Sequence, residues 1–293
     1  MQVEYRGLEP VKAGAKSPLR YPGGKSRAIK HILPLIPAVT RTLLSPFIGG
    51  GSVELAAAAC GVTVRGYDIF APLVNFWQTA LSVPEALATL VEQEHPLPRE
   101  RFYELQRDLR QGCPPGSAAA ALFFILNRAS VSGSTLSGGT SEGDRFTPSA
   151  IQRLRDFACP NLTVGHARFE DSLAAHPDDC VYADPPYVIP SNLYGNRGDT
   201  HKGFDHAALA ACLRERDSSW VLSYNDCPEV RALYRGHAML TPAWTYGMGK
   251  SHQSSELLIL SHDLAQRHQV VARPRRTADR AAPVACGYAL AAA

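Results

Sequence analysis

The chain has 293 residues, of which 45% are hydrophobic and 19% charged, and its formal net charge at pH 7 is +3. It has no apolar run of about eighteen residues, and its charged first twenty residues lack a secretory-signal core, so a cytoplasmic protein without a membrane partner is expected. Residues 31–263 carry 18 basic and 24 acidic side chains, so bulk charge alone does not establish nucleic-acid binding. The seven cysteines and ten histidines show no metal-ligand spacing, so no metal is expected.

Short apolar runs alternate with amphipathic ones along most of the chain. Strands are predicted at Thr42–Phe47, Val62–Tyr67, Leu162–Val164, Cys180–Ala183, Trp220–Tyr224 and Leu257–Leu260. Helices are predicted between them at Val53–Cys60, Leu73–Leu81, Phe204–Arg216 and Pro228–Tyr234. This alternation predicts an α/β fold, a mainly parallel sheet with helices on both faces.

The middle of the chain is almost entirely helical by pattern. Helices are predicted at Glu85–Glu94, Arg99–Gln111, Ala118–Ala129 and Ser149–Phe157. Ser132–Gly143, rich in Ser, Thr and Gly, predicts a mobile loop. We therefore expect residues 84–157 to be a helical insertion in a main domain made of residues 1–83 and 158–263. A disordered tail is expected over residues 264–293.

Three consecutive glycines, Gly49–Gly51, separate the first predicted strand from the first predicted helix. Glycine lets the backbone turn sharply and approach a ligand closely. Asp68 follows the next predicted strand, where a carboxylate can accept hydrogen bonds from ribose hydroxyls. The pattern favours a nucleoside site, although a tight turn with a helix-capping aspartate nearby would give the same sequence.

Two further clusters combine a restricted backbone with polar and aromatic side chains. Asp184–Tyr187 (Asp-Pro-Pro-Tyr) directly follows an apolar strand, and its prolines hold the carboxylate, a carbonyl and the ring in a stiff relation. Tyr21–Lys25 (Tyr-Pro-Gly-Gly-Lys) lacks the spacing of a phosphate-binding loop. Taken singly, each cluster is also compatible with an ordinary turn.

In chain order the three clusters are Tyr21–Lys25, the glycine turn and Asp184–Tyr187. Together they resemble the Dam-type, D12-class adenine-N6 DNA methyltransferases, and within them a phage-like branch. The resemblance spans roughly residues 17–262 and includes Asn127–Arg128, Leu193–Gly195, His201–His206 and Tyr246–Met248. It implies a class I, Rossmann-like S-adenosylmethionine-dependent methyltransferase fold. Residues 84–157 would then be an inserted helical target-recognition domain.

The resemblance also implies roles for individual residues. Those expected to bind S-adenosylmethionine are Tyr21, Lys25, Phe47, Gly49, Gly51, Asp68, Phe169 and Asp184. Those expected to form the catalytic loop are Asp184, Pro185, Pro186 and Tyr187. The Asp184 carboxylate and the Pro185 carbonyl would accept hydrogen bonds from the amine of an adenine that has left the duplex. Lys25, Arg128 and Arg145 are expected to contact double-stranded DNA, where arginine can read guanine edges.

Two features depart from the family pattern. Arg168 stands where an acidic residue often precedes the aromatic that packs on the cofactor adenine, so Glu170 or Asp171 is the alternative contact. The residues after Asn127–Arg128 lack the pattern of GATC-reading enzymes, so the recognition sequence does not transfer.

Three alternatives remain open at this point. A cytosine-N4 DNA methyltransferase acts on the same kind of amine, but the enzymes resembling this chain usually have Ser in place of Asp184. A protein glutamine methyltransferase would call for Asn there. A catalytically inactive DNA-binding relative would be expected to show a broken loop or to lack the ribose carboxylate. A restriction–modification system would add a cognate restriction endonuclease as partner.

Overall fold

The computed structural model describes residues 6–11, 14–136, 138–141, 145–188, 203–242 and 256–268. Within these ranges one sheet contains β1 Thr42–Ser45, β2 Thr63–Asp68, β3 Leu162–His166, β4 Cys180–Ala183, β5 Trp220–Asn225, β6 Ala238–Leu240 and β7 Glu256–Leu260. The first six α-helices are α1 Ile29–Ile32, α2 Ser52–Ala59, α3 Ala71–Ser82, α4 Pro84–Glu92, α5 Arg99–Gln111 and α6 Ser117–Ala129. The others are α7 Pro148–Arg155, α8 Phe169–Ala175, α9 His206–Arg214, α10 Pro228–Leu233 and α11 His262–Arg267.

The strand order is β3-β2-β1-β4-β5-β7-β6, with β1 to β5 mutually parallel and β7 antiparallel to both of its neighbours. The chain runs outward from β1 to β3 and then returns to place β4 on the other side of β1. Parallel α/β sheets bind ligands at the carboxyl ends of the strands beside such a reversal. The glycine cluster follows β1 and Asp184 follows β4, so the fold brings both to this edge. The Rossmann-like α/β fold expected from the sequence is confirmed.

Burial explains why these segments form the sheet. All residues of β4 and β7 are buried, which suits strands covered on both faces and accounts for the apolar sequence of β4 and of β7 after Glu256. The edge strand β3 instead alternates between buried and solvent-facing positions, as a strand covered on one face does. The central strands thereby fix the site edge rigidly.

The segment α4–α7 interrupts the sheet order and packs against α3. Phe76 of α3 stacks on Phe124 of α6 with ring centroids 5.8 Å apart, and Trp77 lies 5.9 Å from Phe157. These residues belong to one continuous buried cluster that also contains residues of the sheet, such as Val64 of β2. The bounds of α4 to α7 lie close to those of the four predicted helices, and these helices share one buried core with α3 and the sheet.

The loop Ser132–Gly143 was predicted to be mobile, but its described part is held by hydrogen bonds from α5. Gln106 Nε2 donates hydrogen bonds to the carbonyls of Thr135 at 2.9 Å and Gly138 at 3.0 Å, and Arg110 Nε donates to the Leu136 carbonyl at 3.1 Å. Composition predicted mobility because Ser, Thr and Gly pack poorly by themselves. Here long side chains of α5 provide the hydrogen bonds that fix the backbone.

The predicted tail begins too early. Residues 264–267 belong to α11, where Leu264 is fully buried, because its apolar side chain closes the core beside β7. Residues 269–293 lie outside the described residues, as do the family matches Leu193–Gly195, His201–Lys202 and Tyr246–Met248. The short elements α1, α8 and β6 were not predicted, and α11 lies mostly within the predicted tail.

Candidate active site

Two aromatic side chains pack against the glycine turn between β1 and α2. Gly49 and Gly51 have φ of +45° and +67°, in the left-handed region that glycine adopts freely. A Cβ on Gly50 would lie 2.6 Å from Tyr21 Cβ, and one on Gly51 would lie 2.9 Å from the Trp77 ring. Trp77 Nε1 also donates a hydrogen bond to the Gly49 carbonyl at 3.0 Å. The turn therefore depends on its glycines, and Tyr21 lies directly over it.

Asp68 ends β2 beside this turn. Its Oδ2 accepts a hydrogen bond from the Gly49 amide at 3.2 Å, and its Oδ1 accepts one from the Phe70 amide at 3.0 Å. Burial raises the pKa of Asp68 to about 6, although these backbone hydrogen bonds favour the ionised form. Asp68 and Gly49, 19 positions apart in the sequence, are thus joined by a hydrogen bond at one edge of the sheet.

The two flank a cavity of about 350 Å³ that is also lined by the Tyr21–Lys25 segment and by Asp184. Phe47, Phe169 and Phe204 form one wall of it, with ring centroids 5.4–5.8 Å apart. Phe204 was not predicted as a site residue. An aromatic wall of this kind suits a flat heterocycle.

Glu170 lies at the same wall. Its Oε1 accepts a hydrogen bond from Arg168 Nη2 at 2.8 Å. Its Oε2 is buried, and in the part of the chain that the structure describes no donor reaches it. Asp171, the other alternative contact, is exposed and does not line the cavity. Buried carboxylate oxygens normally have a partner, so Glu170 Oε2 marks a position where a ligand donor fits.

Asp184 immediately follows β4, and its carboxylate is held from both sides. Lys25 Nζ lies 2.8 Å from Oδ2, and Ser223 Oγ donates to Oδ1 at 2.8 Å. Burial raises the pKa of Asp184 above its ordinary value, while the Lys25 charge opposes that change. Pro185 is buried and Pro186 half-buried. The structure therefore joins the Tyr21–Lys25 cluster to the Asp184–Tyr187 cluster through an ion pair whose side chains are 4% and 22% exposed.

Tyr187 completes the loop. Its ring centroid lies 4.9 Å from Lys25 Nζ, and its hydroxyl donates a hydrogen bond to Glu256 Oε1. Asn225 of β5 holds the next residue, Val188, by accepting from its amide and donating to its carbonyl, both at 3.0 Å. The loop is thus fastened to the sheet at both ends.

Two buried carboxyl groups near Asp184 were not predicted from the sequence. Glu54 of α2 is 3% exposed and accepts a hydrogen bond from Ser45 Oγ at 2.7 Å, and burial raises its pKa to about 7. Glu256, at the start of β7, is 1% exposed and lies 3.3 Å from Lys25 Nζ. The sequence signal that could have found them is a single acidic residue beside apolar ones. A charged side chain in such a place is buried, and a buried charge needs a partner.

A polar contact joins the insertion to the N-terminal cluster. Asn127 of α6 accepts from the Arg20 amide at 2.9 Å and donates to the Arg20 carbonyl at 2.7 Å. Arg128 is half-buried and donates to the carbonyl of exposed Arg145 at 3.0 Å. The pKa of Arg128 is lowered to about 10, first by burial and then by the positive charges of Arg20, Arg153 and Arg145. We call these four side chains the arginine cluster.

Other kinds of site are not found in the described ranges. They contain no group of three or more His, Cys, Asp or Glu side chains placed to hold a metal ion. Their helices include none that is long and apolar enough to cross a membrane. The six cysteines described are free, and none of them lines the cavity.

Comparison with known proteins gives a family match over most of the chain. The model of the D12 class N6 adenine-specific DNA methyltransferases matches residues 21–248. The Type II methyltransferase M1.LlaDCHI of Lactococcus lactis subsp. cremoris is 25% identical over 256 residues, which cover 78% of this chain and 87% of that protein.

Two further matches are more partial. The Type II methyltransferase M.FokI of Planomicrobium okeanokoites is 26% identical over 208 residues, 66% of this chain but 32% of that protein. A solved SAM-dependent methyltransferase from Neisseria gonorrhoeae is 13% identical with a TM-score of 0.28, covering 80% of this chain and 64% of that one. The latter likeness is too low to support an argument.

Proposed function

Because the chain belongs to the D12 class of N6 adenine-specific DNA methyltransferases, we propose that it uses the Asp184–Tyr187 loop to methylate N6 of an adenine within a specific DNA sequence. The observation that carries this assignment is the ion pair of 2.8 Å between Lys25 and Asp184, beside a cavity flanked by Asp68 and the glycine turn. The family match favours adenine N6 over the cytosine-N4 and glutamine alternatives.

The cavity fits S-adenosylmethionine in size and in chemistry. Small-molecule sites start at roughly 300 Å³, and this one measures about 350 Å³. Asp68 would accept hydrogen bonds from the ribose hydroxyls, and the wall of Phe47, Phe169 and Phe204 would pack on the adenine ring. Glu170 Oε2 would accept from the adenine amine, the role that Arg168 cannot fill. When bound, the cofactor supplies a methyl group on a positively charged sulfur.

The catalytic loop is suited to activating an exocyclic amine. The adenine amine is a poor nucleophile because its lone pair is delocalised into the ring. Asp184 and the Pro185 carbonyl would accept its two N–H groups and stabilise the positive charge that develops on nitrogen as the methyl group arrives. Lys25 and Ser223 favour the ionised form of the Asp184 carboxylate, against the effect of burial on its pKa, and fix its orientation.

The base must leave the duplex to reach this loop, which costs a few kcal/mol. Stacking on the Tyr187 ring returns ~1–3 kcal/mol. Lys25 was expected to contact DNA as well as the cofactor, but it is 4% exposed and lies between Asp184 and Glu256. Its contact with DNA is therefore limited to the extruded base.

The arginine cluster is the surface that we assign to the duplex. Arg128 and Arg145 were expected there from the sequence, and the structure adds Arg20 and Arg153. The four positive charges repel one another, and the negatively charged phosphate backbone of DNA would relieve that repulsion. The insertion would thus read DNA while also covering α3, and Asn127 links it to the catalytic cluster.

Nucleoside mass spectrometry tests this proposal. Purified protein is incubated with unmethylated DNA and S-adenosylmethionine, and the DNA is then digested. We expect N6-methyladenine, and none when Asp184 is replaced by Ala. N4-methylcytosine as the product would contradict the assignment of the base. Cofactor binding without any methylated product would indicate the inactive DNA-binding relative.

A restriction system is the biological setting that we propose, since both curated relatives are named Type II methyltransferases. A cognate endonuclease would then cut the sequence that this chain methylates, in the cytoplasm where the DNA lies. Protection of a plasmid against that endonuclease after expression of the chain is the expected result.

A further inference from the structure

Glu256 lies where the catalytic loop, the N-terminal cluster and the sheet meet. It is paired with Asn225 across β5 and β7, so the backbone places its side chain beside the loop. Its Oε1 accepts from the Tyr187 hydroxyl and lies 3.3 Å from Lys25 Nζ. One buried carboxylate oxygen therefore contacts both the aromatic ring and the cation of the site.

The rest of the loop is fastened elsewhere, which isolates what Glu256 does. Ser223 of β5 holds Asp184, and Asn225 holds Val188 through two backbone hydrogen bonds. Neither contact fixes the direction of the Tyr187 ring between them. The ring packs against Tyr224, with centroids 6.1 Å apart, and the hydrogen bond from the Tyr187 hydroxyl to Glu256 holds the far end of the ring.

From this geometry we propose that Glu256 is a positioning residue that orients the Tyr187 ring for the extruded base and holds Lys25 against Asp184. The inference rests on the proposed function, because it takes Tyr187 as the stacking face. Glu256 does not line the cavity that we assign to the cofactor. It acts through Tyr187 and Lys25, and its charge is balanced by Lys25 in a site where it is 1% exposed.

The electrostatics give a signature that a purely structural residue would lack. Asp184 faces Lys25 from the N-terminal cluster, Glu256 from β7, Glu54 from α2 and Tyr182 from β4. The negative charge of Glu256 raises the pKa of Asp184. Replacing that charge by a neutral amide must therefore lower the pKa of Asp184 and move the acid limb of the rate profile to lower pH.

Three variants test the proposal: Glu256→Ala, the isosteric Glu256→Gln, and Tyr187→Phe, which lacks only the hydroxyl. Ser261→Ala, which removes a buried polar group beyond the other end of β7, serves as the matched control. Single-turnover methylation, cofactor affinity and the fluorescence of 2-aminopurine at the target position are measured for each. Wild-type N6-methyladenine formation is scored first, so that failure of the proposed function is recognised separately.

We expect Glu256→Ala to slow transfer at least about tenfold while cofactor affinity stays within about twofold, since Asp68, Glu170 and the aromatic wall, which we propose hold the cofactor, are unchanged. Glu256→Gln should recover most of the rate, because an amide oxygen still accepts from Tyr187, and its acid limb should move to lower pH. The double variant Glu256→Ala/Tyr187→Phe should be no slower than Glu256→Ala, because both changes break one interaction.

Several results would overturn the proposal. The first is a double variant whose loss of transfer rate is the product of the two single losses. The second is a Glu256→Gln variant whose rate profile has the acid limb of the wild type. The third is a 2-aminopurine signal that is unchanged in Glu256→Ala or Tyr187→Phe. A transfer rate in Glu256→Ala within twofold of wild type would do the same. If Glu256→Ala does not fold, Glu256→Gln and Tyr187→Phe still decide the question through the pH profile and the fluorescence.

Discussion

Replacing Glu54 by Gln should stabilise the cofactor-free protein, and increasingly so as the pH rises. Glu54 is 3% exposed, and burial raises its pKa to about 7 from an ordinary value of 4.5. The folded state therefore prefers the neutral carboxyl. Its contribution is fully present below pH 4.5 and is lost as the pH rises through about 7. Gln is neutral throughout and can keep the hydrogen bond from Ser45.

The size of the effect follows from those two pKa values. At 1.36 kcal/mol per pKa unit, ionising Glu54 within the fold costs about 3 kcal/mol. The free energy of unfolding of Glu54→Gln minus that of wild type should rise by most of that amount between pH 5 and pH 8. Urea denaturation at several pH values measures this difference, and Glu100→Gln, at an exposed position of α5, is the control. A difference that does not change with pH would refute the reasoning.

Three other expectations concern cofactor and DNA binding. Asp68→Ala should weaken S-adenosylmethionine binding about tenfold to a hundredfold and leave DNA binding unchanged, and equal calorimetric affinity would remove Asp68 from the site. Glu170→Ala should weaken cofactor binding several-fold while its exposed neighbour variant Asp171→Ala does not; equal losses would argue against the Glu170 contact. Arg128→Ala or Arg145→Ala should relax the methylated motif at one base position, at ~1–3 kcal/mol. If sequencing of modified bases shows the wild-type motif with a uniformly lower rate for both, the reading role is wrong.

Local sequence predicted the parts of the site that depend on backbone chemistry. Gly49–Gly51 and Asp184–Tyr187 stand out because glycine and proline restrict or free the chain in recognisable ways. The continuous apolar sequence of β4 predicted its bounds, because a strand buried on both faces has no polar positions to blur them. The family resemblance then supplied the roles that the residues alone left open.

The rest could not be predicted because it depends on pairs distant in sequence. The Lys25–Asp184 ion pair joins residues 159 positions apart, and neither neighbourhood indicates the other. The same holds for Glu256: its apolar surroundings in the sequence indicate burial, but its contacts with Tyr187 and Lys25 are what place it at the site. Arg20 was not predicted as a DNA contact, because Asn127, which holds it near Arg128, lies 107 positions away in the sequence. Thr135, Leu136 and Gly138 are likewise held by side chains of α5, which lie 26 to 32 residues earlier in the chain.

The central claim is that the Asp184 carboxylate stabilises the charge developing on adenine N6. The most direct test is single-turnover methyl transfer by folded Asp184→Ala at saturating cofactor. The substrate is unmethylated DNA that contains the motif methylated by the wild type. Loss of a dominant transition-state acceptor costs ~3 kcal/mol or more, so the rate should fall by more than about a hundredfold. A rate within about tenfold of wild type, from a variant that remains folded, would contradict the account.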